Sequence, residues 1–124
     1  MQLTENGVRR TYQIDDVIYR SDYLVTEPSI YMILSGEVQL THKYNALQKE
    51  IFGYSQGDII GVLEVYTGGE RLTEAVARTE VHAVCFSREQ FEKNMVGNLK
   101  FALIAIRNLS KMLRQINGRI KTLA

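Results

Sequence analysis

The sequence predicts a mainly β chain of the α+β class, an antiparallel sandwich or barrel followed by a short helix and then a long one. Three observations carry this. From Arg10 to Phe86, short apolar or alternating segments rich in Ile, Val, Tyr and Thr are broken by turn residues at roughly regular intervals, the signature of an antiparallel all-β layer. At Ser87 the hydrophobic period switches from that of a strand to that of a helix. Beyond Asn98, apolar residues recur every third or fourth position as far as Leu123.

Taken in order, "DDVIYR" (15–20) and "IYMIL" (30–34) are strand candidates on either side of a polar turn that holds the only proline, Pro28. Ser35-Gly36 then turns the chain into "EVQLTH", where Val38 and Leu40 alternate with Gln39 and Thr41 as in a half-buried strand. "KEIFGY", "DIIGVL" and "EAVARTEVHAVCF" continue the pattern to the end of the β-rich part. Ser87 and Gln90 stand at capping-box spacing and start the short helix. Gly97-Asn98 interrupts it, and Asn98 can cap the long one, in which Leu99, Leu103, Ile106, Leu109, Leu113, Ile116, Ile120 and Leu123 follow a heptad-like seam.

That helix would be nearly 40 Å long at about 1.5 Å per residue, more than a small barrel covers. Phe101 and Ile104 add a second apolar stripe early in it, so its first turns can face the barrel and something else. Later only the seam remains. A lone exposed seam is a costly patch in a monomer, so Ile106, Leu109, Leu113, Ile116, Ile120 and Leu123 are expected to form a parallel or near-parallel homodimer contact; the alternative is a helix that packs back on its own barrel throughout.

With 124 residues the chain is read as one domain, 1–97 forming the β part with the short helix and 98–124 the dimerisation helix. Fifteen basic against 14 acidic residues leave a net charge of +1, which argues against nucleic-acid binding along the whole surface. After Lys93 every charged residue is basic: Lys100, Arg107, Lys111, Arg114, Arg119 and Lys121. A solvated helix face whose C-terminal dipole favours cations accounts for that run. Cys85 is the only cysteine, so no disulfide framework can form within one chain and a reducing, cytoplasmic setting follows. No segment reaches the roughly twenty apolar residues that a membrane crossing needs, so no membrane partner is expected.

The stretch "GDIIGVLEVYTGGERLTEAV" (57–76) raises the question of ligand chemistry. A turn opening at Gly61 with free backbone N–H groups, and a guanidinium from Arg71, would suit an anion. Its bland reading is a surface loop with a solvated arginine. The order of β layer, short helix and long helix, together with "YMILSGEVQLTH", "QGDIIGVL", "GER" and "SREQF", resembles the cyclic-nucleotide-binding domain, and within it the effector domain of catabolite-activator and anaerobic-regulator transcription factors. The resemblance runs from about Arg10 to Ala124. It implies an antiparallel β-roll of the jelly-roll type, in which Gly61 opens the short helix of a phosphate-binding cassette and Arg71 pairs with the phosphate.

The departures from that family matter as much. Where its cyclic-AMP binders place a glutamate after the glycine this chain has Val62, and where they place Ser or Thr after the arginine it has Leu72. Thr73 is a weak substitute, and Glu64 points the wrong way on a helical turn. The purine-facing polar pair of the long helix falls at Ile116 and Asn117, of which only Asn117 can hydrogen-bond a base. Each unpaired ligand group buried against Val62 or Ile116 would cost about 1 to 3 kcal/mol. The expected ligand site is thus Gly61, Val62, Leu63, Arg71, Leu72, Thr73, Ile116 and Asn117, unsuited to tight cyclic-AMP binding; a small anionic effector or another cyclic nucleotide is the ligand it leaves open, and the alternative is a ligandless protein-interaction module that only dimerises.

His42, His82 and Cys85 are too scattered to predict haem or a metal site. No cupin-like histidine cluster, nucleophile elbow or P-loop occurs, so no enzyme activity is expected. In the regulators it resembles, a winged helix-turn-helix domain follows the dimer helix; DNA would be met only through such a domain, absent from this sequence.

Overall fold

A computed structural model describes the backbone of residues 7–20, 29–43, 49–67 and 73–123, and their side chains except those of Lys43, Leu63, Glu64, Thr67, Met112 and residues 115–123. Eight strands precede and flank three helices: β1 (Val8–Tyr12), β2 (Val17–Tyr19), β3 (Ile30–Ser35), β4 (Val38–Lys43), β5 (Lys49–Tyr54), β6 (Ile59–Ile60), α1 (Val62–Thr67), β7 (Thr73–Ala77), β8 (Val81–Phe86), α2 (Arg88–Gly97) and α3 (Leu99–Leu123). They form two antiparallel four-stranded sheets, ordered β1-β8-β3-β6 and β2-β7-β4-β5. This is the jelly-roll β-roll that the sequence resemblance implied.

Two of the connections at which the chain changes sheets, β3–β4 and β7–β8, lock together. Gly36, between β3 and β4, has φ +94°, and a Cβ there would collide with the Glu80 carbonyl and Val81, so only glycine fits. Across from it, the β7–β8 turn gives Arg78 N–H to the Glu37 carbonyl at 2.8 Å, while Glu37 N–H donates to Thr79 Oγ1 at 3.0 Å.

Two cores result from strand alternation. One lies between the sheets and holds Ile33, Val38, Leu40, Phe52, Tyr54, Ile60, Ala75, Ala77, Val81 and Ala83. The other covers the opposite face of β3, β6 and β8, where Ile30, Met32, Ile59, Val84 and Phe86 meet Phe91 of α2 and Phe101 and Ala105 of α3. Phe101 is central to it, edge-on to Phe86 at 5.7 Å and to Phe91 at 5.5 Å between ring centroids.

Both helix starts follow the sequence reading. Ser87 Oγ accepts from Gln90 N–H at 3.2 Å and Gln90 Oε1 accepts from Ser87 N–H at 2.9 Å, a complete capping box. Asn98, extended at φ −147°, ends α2, and its Oδ1 accepts from Phe101 N–H at 3.2 Å to start α3.

One strand, β1, was not among the segments the sequence offered, and two strand expectations are refined. "VRRTY" at β1 shows no apolar run because the strand lies on a sheet edge with most side chains exposed. "EAVARTEVHAVCF" is two strands, broken at residues 78–80 where the chain changes sheets. "DIIGVL" keeps only Ile59–Ile60 as strand before Gly61 bends the chain into α1. The turn carrying Pro28 lies outside the described residues. Among the described residues, no helix is long and apolar enough to cross a membrane.

Candidate functional site

The bend at Gly61 is built by short β6. Ile33 N–H donates to the Asp58 carbonyl at 2.9 Å and Gly57 N–H to the Ile33 carbonyl at 2.8 Å, which fixes the approach; Tyr31 and Met32 of β3 then pair with Ile60 and Ile59. Gly61 follows with φ +86°, a conformation that costs a side-chain-bearing residue about 1 kcal/mol or more. It directs the chain away from the sheet, and α1 begins at Val62.

Val62, one of the expected ligand-site residues, turns its side chain toward the helices. Its side chain is 7% exposed and joins Phe91, Phe101 and Ala105 in the helix-side core, because an apolar group in the first turn of α1 gains more by facing the helices than a polar interior. Its backbone, not its side chain, remains beside the roll. The side chain of Leu63, and Arg71 and Leu72 entirely, lie outside the described residues.

Thr73, the first residue of β7, is 2% exposed, and its hydroxyl shares a 2.9 Å hydrogen bond with the Tyr19 hydroxyl. Thr73 stands opposite His42 of β4, and His42 stands opposite Glu50 of β5. Residues directly opposite in an antiparallel ladder share a face, so Glu50, His42, Thr73 and Tyr19 form a polar row across the inner side of one sheet. Leu40, Ala75 and Phe52 make the apolar floor beside it. Tyr31 reaches across from the other sheet and stacks on Tyr19 with centroids 5.9 Å apart and planes at 19°. Because Tyr31 also pairs with Ile60, the stack joins the polar row to the Gly61 bend.

Tyr12 completes the cluster. Burial, with Tyr31 and Cys85 nearby, pushes its hydroxyl up to about 12, so it is a neutral donor at physiological pH. The row therefore offers hydroxyl donors, an imidazole and one carboxylate, a set that can hydrogen-bond a small polar ligand. Sequence reading had Gly61 and Thr73 and noted the inward parity of His42; it missed Tyr19, Tyr31, Tyr12 and Glu50 as site residues. The alternation of Glu50 with Phe52 and Tyr54 was the available signal.

The long helix is tied to the roll at its middle. Asn108, 6% exposed, accepts from Ile59 N–H through Oδ1 at 3.3 Å and donates through Nδ2 to the Ile104 carbonyl at 2.8 Å. One turn on, Lys111 Nζ lies 4.8 Å from the centre of the Tyr54 ring, within cation–π reach. Ile116 and Asn117 are helical, with side chains outside the described residues.

His82 is exposed on the outer face, 3.2 Å from Thr11 Oγ1, and Cys85 is buried on the other sheet from His42. These side chains do not converge. Among the described residues no group of His, Cys, Asp and Glu is placed to hold a metal.

The seam of α3 is exposed where it is described: Leu99 74%, Leu103 57%, Ile106 54% and Leu113 57%. Leu109 departs from it. It is half-buried and packs against the helix-side core, because its position on a 3.6-residue turn lies about 80° from Leu99. The side chains of Ile116, Ile120 and Leu123 lie outside the described residues. Beside the seam, α1, α2 and α3 enclose an apolar groove of about 710 Å³, lined by Val62, Tyr66, Met95, Val96, Ile106 and Leu109 among others.

Comparison with known proteins puts these observations in a frame. The family model described as "Cyclic nucleotide-binding domain" matches residues 9–98. No curated protein matches the sequence. Among solved structures, the catabolite activator protein of Thermus thermophilus superposes with a TM-score of 0.77 at 21% identity, over 98% of this chain and 56% of that one. The heme domain of CooA from Carboxydothermus hydrogenoformans gives 0.80 at 14%, over 99% and 84%. A cyclic nucleotide-binding domain from Methylobacillus flagellatus gives 0.74 at 18%, over 96% and 68%. This chain spans little more than half the length of the Thermus protein.

Proposed function

Because the chain belongs to the cyclic nucleotide-binding domain family, we propose that it is the ligand-sensing and dimerisation part of a transcription regulator of the catabolite-activator type, tuned to a small anionic effector other than cyclic AMP. The observation that carries this is the polar row of Tyr19, Thr73, His42 and Glu50, its first two members buried and its last two half-buried, which the Tyr19–Tyr31 stack joins to the Gly61 bend. A chain that needed only to fold would not gain from placing so many polar groups together there. Arg71, two residues before Thr73, supplies the cation. Val62 and Leu72 stand where the family's cyclic-AMP binders carry polar residues, which weighs against a cyclic-AMP-like sugar and base.

Effector binding works here as a population shift. Thr73 and the Gly61 bend lie in one continuous set of contacts with β6, and β6 is held to α3 by Asn108. A ligand that draws on the row biases that contact, the packing of α3 against a second copy, and whatever follows Ala124.

The test is a thermal-shift screen of the full chain with cyclic AMP, cyclic GMP, other cyclic nucleotides, heme and small anionic metabolites. A specific stabiliser is expected, and Arg71→Ala and Thr73→Val are each expected to abolish its effect. A flat response in all proteins would favour a ligandless module that acts only through α3.

A further inference from the structure

We propose that the apolar groove between α1, α2 and α3 seats the basic flank of α3 from a second copy of the chain, an inference that rests on the dimer reading above. At about 100° per residue, Leu99, Leu103, Ile106 and Leu113 fall within an arc of about 80°. The two flanks of that arc differ in kind. On one side Leu109 and Ala105 lead into the groove, whose mouth carries Val96, 90% exposed. On the other lie Lys100, Arg107 and Arg114, all exposed.

Symmetry then decides what meets what. When two helices pair in parallel about a two-fold axis, the groove flank of each faces the basic flank of the other. In an antiparallel pair, like flanks meet, so that Lys100 and Arg107 would confront their own copies. The charges favour the parallel arrangement. Glu92, on the groove wall, is the acid placed to receive a guanidinium: its carboxylate accepts from the Tyr66 hydroxyl at 2.9 Å and from Arg88 Nε at 3.3 Å, yet its side chain remains 47% exposed. Leu103 and the stem of Arg107 from the second copy cover the groove, and that guanidinium meets Glu92 at its rim. The partner thereby touches α1, the helix that leaves the Gly61 bend.

Sedimentation equilibrium of the full chain and its charge variants tests this. Glu92→Arg and Arg107→Glu are each expected to weaken the dimer about tenfold, and the doubly exchanged chain to recover it. Since Glu92 also holds Tyr66 and Arg88 in its own copy, a cross-linking experiment stands beside it. On a Cys85→Ser background, a Val96→Cys chain mixed with an Arg107→Cys chain is expected to cross-link through a short bismaleimide, and neither alone. Cross-linking of Arg107→Cys with itself, or none on mixing, would overturn the seating. A dimer unmoved by Glu92→Arg and Arg107→Glu would do the same while leaving the dimer reading intact. A wild-type chain that sediments as a monomer at every concentration would sink the dimer reading itself.

Discussion

The core between the two sheets and the core beneath the helices use the same aliphatic residues, but they differ in what else they bury. Between the sheets are the hydroxyls of Tyr19, Thr73 and Tyr54, with Tyr12 and Tyr31 at the margin. Beneath the helices are three phenylalanine rings in edge-to-face contact and two buried amides, Asn94 of α2 and Asn108 of α3, the latter committed to the backbone on both sides. Rings answer only to packing. Hydroxyls answer to packing and to pH and can hydrogen-bond a ligand, which is why the proposed effector site is set in the inter-sheet core and not in the more apolar one.

The largest effect expected is on the ring core. Phe101→Ala removes a fully buried ring and should lower stability by about 3 to 5 kcal/mol in urea unfolding. A single transition would show that the two cores unfold together; two would show that the helices detach first. Thr73→Val should cost less, about 1 to 3 kcal/mol, by removing the buried hydrogen bond between the Thr73 and Tyr19 hydroxyls. Unlike the first substitution, it should also remove any response to effector. Loss of the response by Phe101→Ala while the chain remains folded would blur the distinction between the cores.

Alkali probes the same contrast without mutation. Burial raises Tyr12 and Tyr54 from 10.0 to about 12. The folded chain therefore keeps protons that the unfolded chain releases. Their contribution is intact below about pH 10 and is lost as pH rises toward about 12, and melting followed across that window should show the fall. Smallest is Tyr54→Phe. The Tyr54 hydroxyl is buried with no hydrogen-bond partner among the described residues, so its removal should raise stability by about 1 kcal/mol and reduce the alkaline loss. A destabilised variant would mean that the hydroxyl is paired in solution.

What could be read from the sequence was what is local. The capping box at Ser87 and Gln90 and the cap at Asn98 involve residues three apart, and both are formed. The Gly61 bend was legible because positive φ selects glycine. The polar row was not, since Tyr19 meets Thr73 across 54 residues and His42 meets both Glu50 and Thr73 through strand register, which no short window encodes. Leu109 stands apart from the exposed seam because it follows Ile106 by three residues, which sets it about 80° from Leu99 and half-buried against the helix-side core, while Leu113 returns to the seam.

The strand order also dictates when this chain can fold. β7 and β8, made last among the strands, are interior in both sheets, and β1 and β2 pair with nothing but them. Val8 waits for Cys85 and Val17 for Val76. During synthesis the N-terminal strands thus remain unpaired until nearly the whole roll has been made, so closure comes late, all at once, and on the slower timescale of long-range β pairing. A nascent chain halted before Val81 would lack β8, and β1 would be open to whatever edge it met.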